Sequence, residues 1–316
     1  MMTRAPVTTA PDAVPPARVP PQRPSVEGLL LVDKPAGLTS HDVVARLRRA
    51  LRTKRVGHAG TLDPFATGLL VCAVGQATRL LPYVYGEPKV YRARIAFGVA
   101  TNTDDSTGVP VAHGVAPDWM QLGAAIASLT GSISQVPPAY SAKHIDGERA
   151  YARARRGEDV QLAPVSIHVA QWQELARGDD WIDMDITCSG GTYVRSLARD
   201  LGVAMGTVAH CATLRRLSSG ALHVSRAVSC DALVPNAELP VENPLPALSE
   251  LAVQPIDASS LDALRTGRQI DATVVGVRAA LVAPDGRVVA VAERVAHETG
   301  DRWQPRVVLL SPEASA

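Results

Sequence analysis

A chain of 316 residues with 46% hydrophobic and 20% charged side chains has the make-up of a globular protein, with room for one large domain and a small one. Its net charge of +1 excludes a uniformly basic nucleic-acid binder, so any RNA contact has to come from a local patch. Cys72, Cys188, Cys211 and Cys230 form no C-x-x-C pair, and no apolar run reaches the roughly 18 residues of a membrane span; zinc-finger, disulfide-scaffold and transmembrane classes are excluded, and reduced thiols in a cytoplasmic protein are expected.

Residues 1–24 combine Pro-Pro pairs at 15–16 and 20–21 with Arg4, Arg18 and Arg23, and lack the apolar core of a signal peptide. Such a segment supports neither helix nor sheet ladder, and predicts a disordered tail. Regular structure begins at Gly28, where the apolar run 28–33 predicts a strand closed by Lys34-Pro35-Ala36-Gly37. Thr39 and Ser40 are N-cap candidates for a helix that buries Val43, Val44, Leu47 and Leu51. Its polar side carries Arg46, Arg48 and Arg49, and Arg52, Lys54 and Arg55 follow with no acidic residue among them. This cluster is the best local RNA footprint, set against the plainer reading of a solvated helix face.

A buried strand is expected at 69–74, a short helix at 77–83, a strand at 90–97, and amphipathic helices at 119–129 and 147–156. Ile182, Met184, Ile186 and Cys188 alternate with polar residues, the pattern of a half-buried strand. Gly190-Gly191 then leads into a helix at 194–201. Strands and helices alternate without a βαβ rhythm, so the fold class is α+β. Residues 235–246, rich in Pro and acid, predict a linker. Beyond them, β-branched runs at 274–277, 279–282, 288–292 and 306–310, with a Pro284-Asp285-Gly286 turn, predict a compact all-β barrel.

The chemistry concentrates in Gly57-His58-Ala59-Gly60-Thr61-Leu62-Asp63-Pro64-Phe65-Ala66-Thr67-Gly68. Three glycines permit tight backbone and Pro64 pushes Asp63 away from helical geometry, so one carboxylate is held on a shaped loop between apolar strands. The bland alternative is a turn Asp bonding its own backbone. The density of Gly, His and Thr around it favours a catalytic group on a rigid scaffold.

That stretch, continued by Gly75-Gln76-Ala77-Thr78-Arg79-Leu80, resembles the signature of the TruB family of tRNA pseudouridine synthases. The similarity extends to Gly28-Leu29-Leu30-Leu31-Val32-Asp33-Lys34-Pro35-Ala36-Gly37-Leu38-Thr39-Ser40, Lys89-Val90-Tyr91, and Gln135-Val136-Pro137-Pro138-Ala139-Tyr140-Ser141-Ala142. Gly191-Thr192-Tyr193-Val194-Arg195-Ser196-Leu197 and Leu214-Arg215-Arg216-Leu217 complete a set in the family's order. Several long motifs in register are more specific than any one of them.

The resemblance implies a pseudouridine synthase fold, a mixed and mainly antiparallel sheet flanked by helices, over residues 25–245 with an RNA-gripping insertion around 99–156. It implies isomerisation of the T-loop uridine at tRNA position 55, with no cofactor and no metal. In the family, the Asp matching Asp63 is the nucleophile, the Arg matching Arg195 orients it, and the Tyr matching Tyr91 stacks on the uracil. By the same carry-over, His58, Tyr193, Lys34, Pro35 and Leu217 bind substrate, with His58 wedged beside the flipped nucleotide and Lys34 structural or phosphate-facing. Residues 250–316 resemble a PUA domain through Leu264-Arg265-Thr266-Gly267-Arg268 and Trp303-Gln304-Pro305-Arg306-Val307. A monomer that needs no protein partner is the expected state.

The sequence departs from the family at one place: Lys143 precedes His144 where the family has an apolar residue and then Lys. Two competing readings are a guide-RNA-dependent relative and an RNA-folding chaperone without chemistry. The long region 98–156 weighs against the first, and the presence of both Asp63 and Arg195 against the second.

Overall fold

The computed structural model describes residues 27–310 except 142, 143, 146, 147, 150, 152, 154, 155, 157, 159, 161 and 299. The expected tail at 1–24 and Lys143 therefore lie outside the described residues, and of His144 only the backbone is described.

The chain opens with strand β1 (Gly28–Lys34), helix α1 (Ser40–Ala50), β2 (Val56–Ala59) and β3 (Thr67–Val74), followed by a 3-10 turn at Gly75–Tyr83. Then come β4 (Lys89–Phe97), the hairpin β5 (Val99–Thr101) and β6 (Pro110–His113), helix α2 (Leu122–Ser128) and β7 (Gly131–Gln135). A small hairpin of β8 (His144–Ile145) and β9 (Glu148–Arg149) precedes β10 (Val165–Arg177), β11 (Trp181–Cys188) and helix α3 (Val194–Ala204). The first part ends with β12 (Ala209–Ser219), β13 (Leu222–His223) and β14 (Val228–Ser229). The remainder is β15 (Ala252–Pro255), helix α4 (Ala258–Arg265), β16 (Ile270–Asp271), β17 (Arg278–Val282), β18 (Val288–Val295) and β19 (Arg302–Val308).

One sheet runs β14-β1-β3-β12-β4-β11-β10-β7, with β2 joined to β3 and β13 to β12. Its pairings are antiparallel except β1 with β14 and β3 with β12. The β3–β12 contact is a seam of two pairs, Thr67 with Arg215 and Gly68 with Arg216, and Arg216 also pairs across its other edge with Tyr91 of β4. Gly68 has φ +98, and a Cβ there would lie 2.3 Å from the Arg216 carbonyl oxygen. Only glycine lets the strands close at this point.

Helix α1 covers one face of the sheet with Val43, Val44 and Leu47, which pack on Leu30, Val32, Leu70 and Cys72. Each fully buried Val or Leu contributes about 1.5–3 kcal/mol. Thr39 is its N-cap, in a capping box with Asp42. Helices α2 and α3 cover the core formed by Ala93, Ile95, Ile182, Met184 and Ile186.

The C-terminal sheet, ordered β15-β17-β18-β19-β16, is open, because no ladder joins its edge strands among the described residues. Instead the buried Gln254 of β15 donates to the Asp271 carbonyl of β16 at 3.0 Å and accepts from Trp303 Nε1 at 2.6 Å. The compact barrel expected from sequence takes the form of a curled half-barrel, whose edge strands of four and two residues are drawn together by one side chain. The run 274–277 is not a strand: Val275 is 93% exposed and no neighbouring strand pairs with it. β-Branched composition needs a partner ladder to become a strand. The helix expected at 147–156 also fails at its start, where Glu148 and Arg149 form β9. The stretch expected to be a linker is tied down, because Leu29 and Glu242 exchange backbone hydrogen bonds of 2.9 and 2.7 Å. Leu29, Leu31, Leu69 and Val71 share a core with Ala280, Val288 and Val291, so the two sheets are packed together.

Candidate active site

Asp63 lies on the loop between β2 and β3, and the backbone is fixed on both sides of it. Ser40 Oγ accepts from the Leu62 N–H at 2.9 Å and contacts the Leu62 carbonyl at 3.1 Å. The Pro64 carbonyl accepts from the Gly37 N–H at 2.8 Å and from Lys34 Nζ at 3.3 Å. Lys34 is 0% exposed and also donates to the carbonyls of Leu38 and Pro35, at 2.7 and 3.1 Å. It therefore pins the loop that carries Asp63. Desolvation pulls its pKa down to about 8, against the attraction of Asp63.

Arg195 enters from the first turn of α3, and its side chain is 3% exposed. Gln135 positions this helix start, accepting from the Tyr193 N–H at 2.9 Å and donating to its carbonyl at 3.1 Å. The guanidinium Nε is 2.9 Å from Asp63 Oδ2, and Nη1 is 3.3 Å from Asp105 Oδ2. Nη1 donates to the Thr103 carbonyl at 2.8 Å and Nη2 to the Tyr140 carbonyl at 2.9 Å. The Nε–H is not well aligned on the Asp63 oxygen, so that contact is chiefly a close ion pair. Asp63 keeps 35% of its side-chain surface open, facing two cavities. Desolvation consequently raises its pKa, opposed by Arg195 and Lys34 and reinforced by Asp105.

Asp63 and Arg195 line two cavities at once. The smaller, about 260 Å³, is also lined by Tyr91, Tyr193, Lys89, Leu214 and Arg216. Burial pushes the Tyr91 phenol up, with Arg216 opposing; burial likewise raises the Tyr193 phenol. The larger, about 690 Å³, is lined by His58, Phe65, Tyr140, Ser141 and Tyr151 among others. His58 has a buried Nδ1 without a hydrogen-bond partner among the described residues, and desolvation, with Arg216 and His41, lowers its pKa. It is held neutral.

The structure brings together Asp63, Arg195, Tyr91, Tyr193 and His58 around these cavities. Pro35, with Lys34, lines a separate cavity of about 390 Å³ with Asp33, Arg215 and Cys230. Leu217 lines neither cavity at Asp63, because a bulge falls between Arg216 and Ser218 and takes Leu217 out of register. Leu214 faces the smaller cavity instead.

The basic cluster divides. Arg48 donates to the Val56 carbonyl at 3.0 Å and Arg46 contacts Cys230 Sγ at 3.6 Å, whereas Arg49, Arg52, Lys54 and Arg55 are exposed. Sequence reasoning assigned no role to Asp105, Lys89 or Arg216. Asp105 stands in a loop without periodicity, and the other two were visible only as members of longer motifs.

No helix among the described residues is long and apolar enough to cross a membrane, and no cluster of three or more metal-binding side chains is found among them. A family model described as TruB family pseudouridylate synthase (N terminal domain) matches residues 48–194, and the tRNA pseudouridylate synthase B C-terminal domain matches residues 195–259. Proteins named tRNA pseudouridine synthase B from Nocardia farcinica and Thermobifida fusca are 45% and 44% identical over 293 and 281 residues. These alignments cover 89% and 84% of this chain, and 93% and 94% of the relatives. Among solved structures, an H/ACA RNP bound to a substrate RNA containing 2'-deoxyuridine superposes with TM-score 0.66 at 21% identity, over 90% of this chain and 85% of that one. The archaeal box H/ACA sRNP Nop10-Cbf5 complex gives 0.65 at 22% identity, over 90% and 86%. These structural matches bear on the fold, and the sequence matches on the lineage. By the sequence matches the chain belongs to the TruB family of pseudouridylate synthases.

Proposed function

We propose that the protein isomerises uridine 55 in the T-loop of tRNA to pseudouridine, as a cytoplasmic monomer with no cofactor. The observation that carries this reading is the Asp63–Arg195–Asp105 array at the junction of two cavities, with Tyr91 on the wall of the smaller one. The reaction breaks the N1–C1′ bond, turns the base and rejoins it through C5, so it gains and loses no electrons overall. It needs a carboxylate kept ionised in a water-poor place, and Arg195 favours that charge. The flipped uridine enters the smaller cavity against Tyr91 and Tyr193, and His58 braces the neighbouring space. Asp63 acts as nucleophile, and Tyr91 stacks on the base.

In this reading residues 25–245 catalyse, the insertion around 99–156 grips the T-arm, and residues 250–316 act as a PUA-like RNA-binding module. The relatives named tRNA pseudouridine synthase B support a stand-alone enzyme over a guide-dependent subunit. The test is tritium release from C5-labelled uridine in an unmodified tRNA transcript without added cofactor. Release that disappears when the T-loop uridine is replaced by cytidine supports the reading; no release from bound tRNA rejects it.

The divided basic cluster sharpens a second expectation. Neutralising Arg49, Arg52, Lys54 and Arg55 should flatten the salt dependence of tRNA binding by up to about 0.9 in log–log slope for each phosphate left without its cation. Neutralising Arg48 should instead lower stability, because the Val56 carbonyl loses its donor. Filter binding across a salt series, beside thermal melts, separates the two, and an unchanged slope would return the exposed four to a solvated face.

A further inference from the structure

Two cations in the smaller cavity have no part in the Asp63–Arg195 pair. Lys89 and Arg216 line it together with Asp63 and Tyr91. Register places Arg216 directly across from Tyr91, and Lys89 two residues earlier on β4, on the same face. Arg216 is 1% exposed, donates from Nε to the Leu69 carbonyl at 2.7 Å and from Nη2 to the Gly60 carbonyl at 3.1 Å, and acts to lower the pKa of the Tyr91 phenol. It has no carboxylate partner among the described residues. Arg195 in the same cavity wall has two.

Lys89 is half-buried, and its ammonium makes neither a hydrogen bond nor an ion pair among the described residues. Desolvation and Arg216 pull its pKa below the usual lysine range, and the attraction of Glu87 opposes them. Positive charge held in a cavity wall with no ion-pair partner of its own is costly. An anion arriving in the cavity would offset that cost.

The isomerisation proposed above, on which this inference rests, makes such an anion. When the N1–C1′ bond breaks, its electron pair stays with N1, and the base becomes a uracil anion with charge spread over N1, O2 and O4. This holds whether Asp63 captures C1′ or takes a proton from C2′. When C5 bonds to C1′ the base is neutral again, and the C5 proton then leaves as N1 takes up one from solvent. Preorganised cations aimed at charge that exists only during the reaction lower its barrier. We infer that Lys89 and Arg216 form the site that stabilises the departing uracil anion. Lys89 is the catalytic residue that touches the base, and Arg216 is a positioning residue acting through Tyr91 and the Gly60 carbonyl.

The test compares wild type, Lys89→Met and Lys89→Arg in single-turnover cleavage of the N1–C1′ bond. One tRNA transcript carries uridine, and a second carries 5-fluorouridine, whose electron-withdrawing fluorine stabilises the departing anion without help. Lys89→Met should be slower on uridine by about 100-fold or more, with tRNA binding and melting temperature close to wild type. On 5-fluorouridine its deficit should shrink by roughly tenfold, because the substrate then supplies what the lysine did. Lys89→Arg should recover most of the uridine rate. Equal deficits on both transcripts, or no deficit on uridine, would overturn the inference. Failure of the wild type itself on uridine would overturn the proposed function instead.

Discussion

Asp63→Asn is expected to abolish turnover, by more than about 10⁴-fold, while tRNA binding stays within a few-fold of wild type. Asparagine keeps the shape but offers no anionic oxygen. Arg195 would still hold Asp105, the Thr103 carbonyl and the Tyr140 carbonyl, so the loops around the site should stay in place. Stability should move the opposite way from activity. The folded protein holds the Asp63 pKa above its usual value, chiefly by desolvation. A folded-state pKa above the unfolded one means that the folded chain binds the proton more tightly. Stability therefore falls as pH rises from the ordinary aspartate range through the raised pKa. At neutral pH the ionised Asp63 is a net cost, and Asp63→Asn should melt at a higher temperature than wild type. That gain should vanish at pH values below the ordinary aspartate range. Tritium release, filter binding and melts at two pH values check all three. Retained turnover would remove Asp63 from the chemistry, and a lower melting temperature at neutral pH would contradict the desolvated carboxylate.

Arg195→Ala should be the most damaging single change, affecting both fold and rate. It removes a nearly fully buried cation from two carboxylates and two carbonyls at once. Breaking a buried charge network by deleting one partner costs about 3–5 kcal/mol, so urea unfolding should show a loss of that order. The rate should fall by about 10³-fold or more, since the nucleophile loses the partner that keeps it ionised and aimed. The pH profile separates chemistry from instability. In the wild type the acid limb of the rate should lie above the ordinary aspartate range, because the Asp63 pKa is raised. Without Arg195, desolvation and Asp105 act unopposed except by Lys34, and the limb should shift further toward alkaline pH. Arg195→Lys keeps the charge but cannot reach four acceptors, so it should recover part of the stability and little of the rate. An acid limb that stays where it is in both variants would mean that Arg195 does not govern Asp63.

The sequence by itself determined the parts of this protein that depend on neighbouring residues. The strand β1, helix α1 with its Thr39 cap, the shaped loop at Asp63 and the alternation through β11 are written in periodicity, capping chemistry and Gly-Pro punctuation. The ordered set of motifs was enough for the family. Tertiary structure alone decided what depends on register between distant segments. Gly68, Arg216 and Tyr91 lie in one row because β3, β12 and β4 meet there, and no local pattern encodes that row. The bulge that replaces Leu217 with Leu214 at the cavity is likewise a property of the paired strands. Val274, Val275 and Val277 have strand composition but form no ladder among the described residues, and the acidic stretch near Glu242, which resembles a free linker, is held by Leu29. Lys34, structural or phosphate-facing by sequence, is closed around three carbonyls. Periodicity and propensity act within a few residues, whereas burial, cross-strand neighbours and counter-charges are supplied by segments tens to hundreds of residues away.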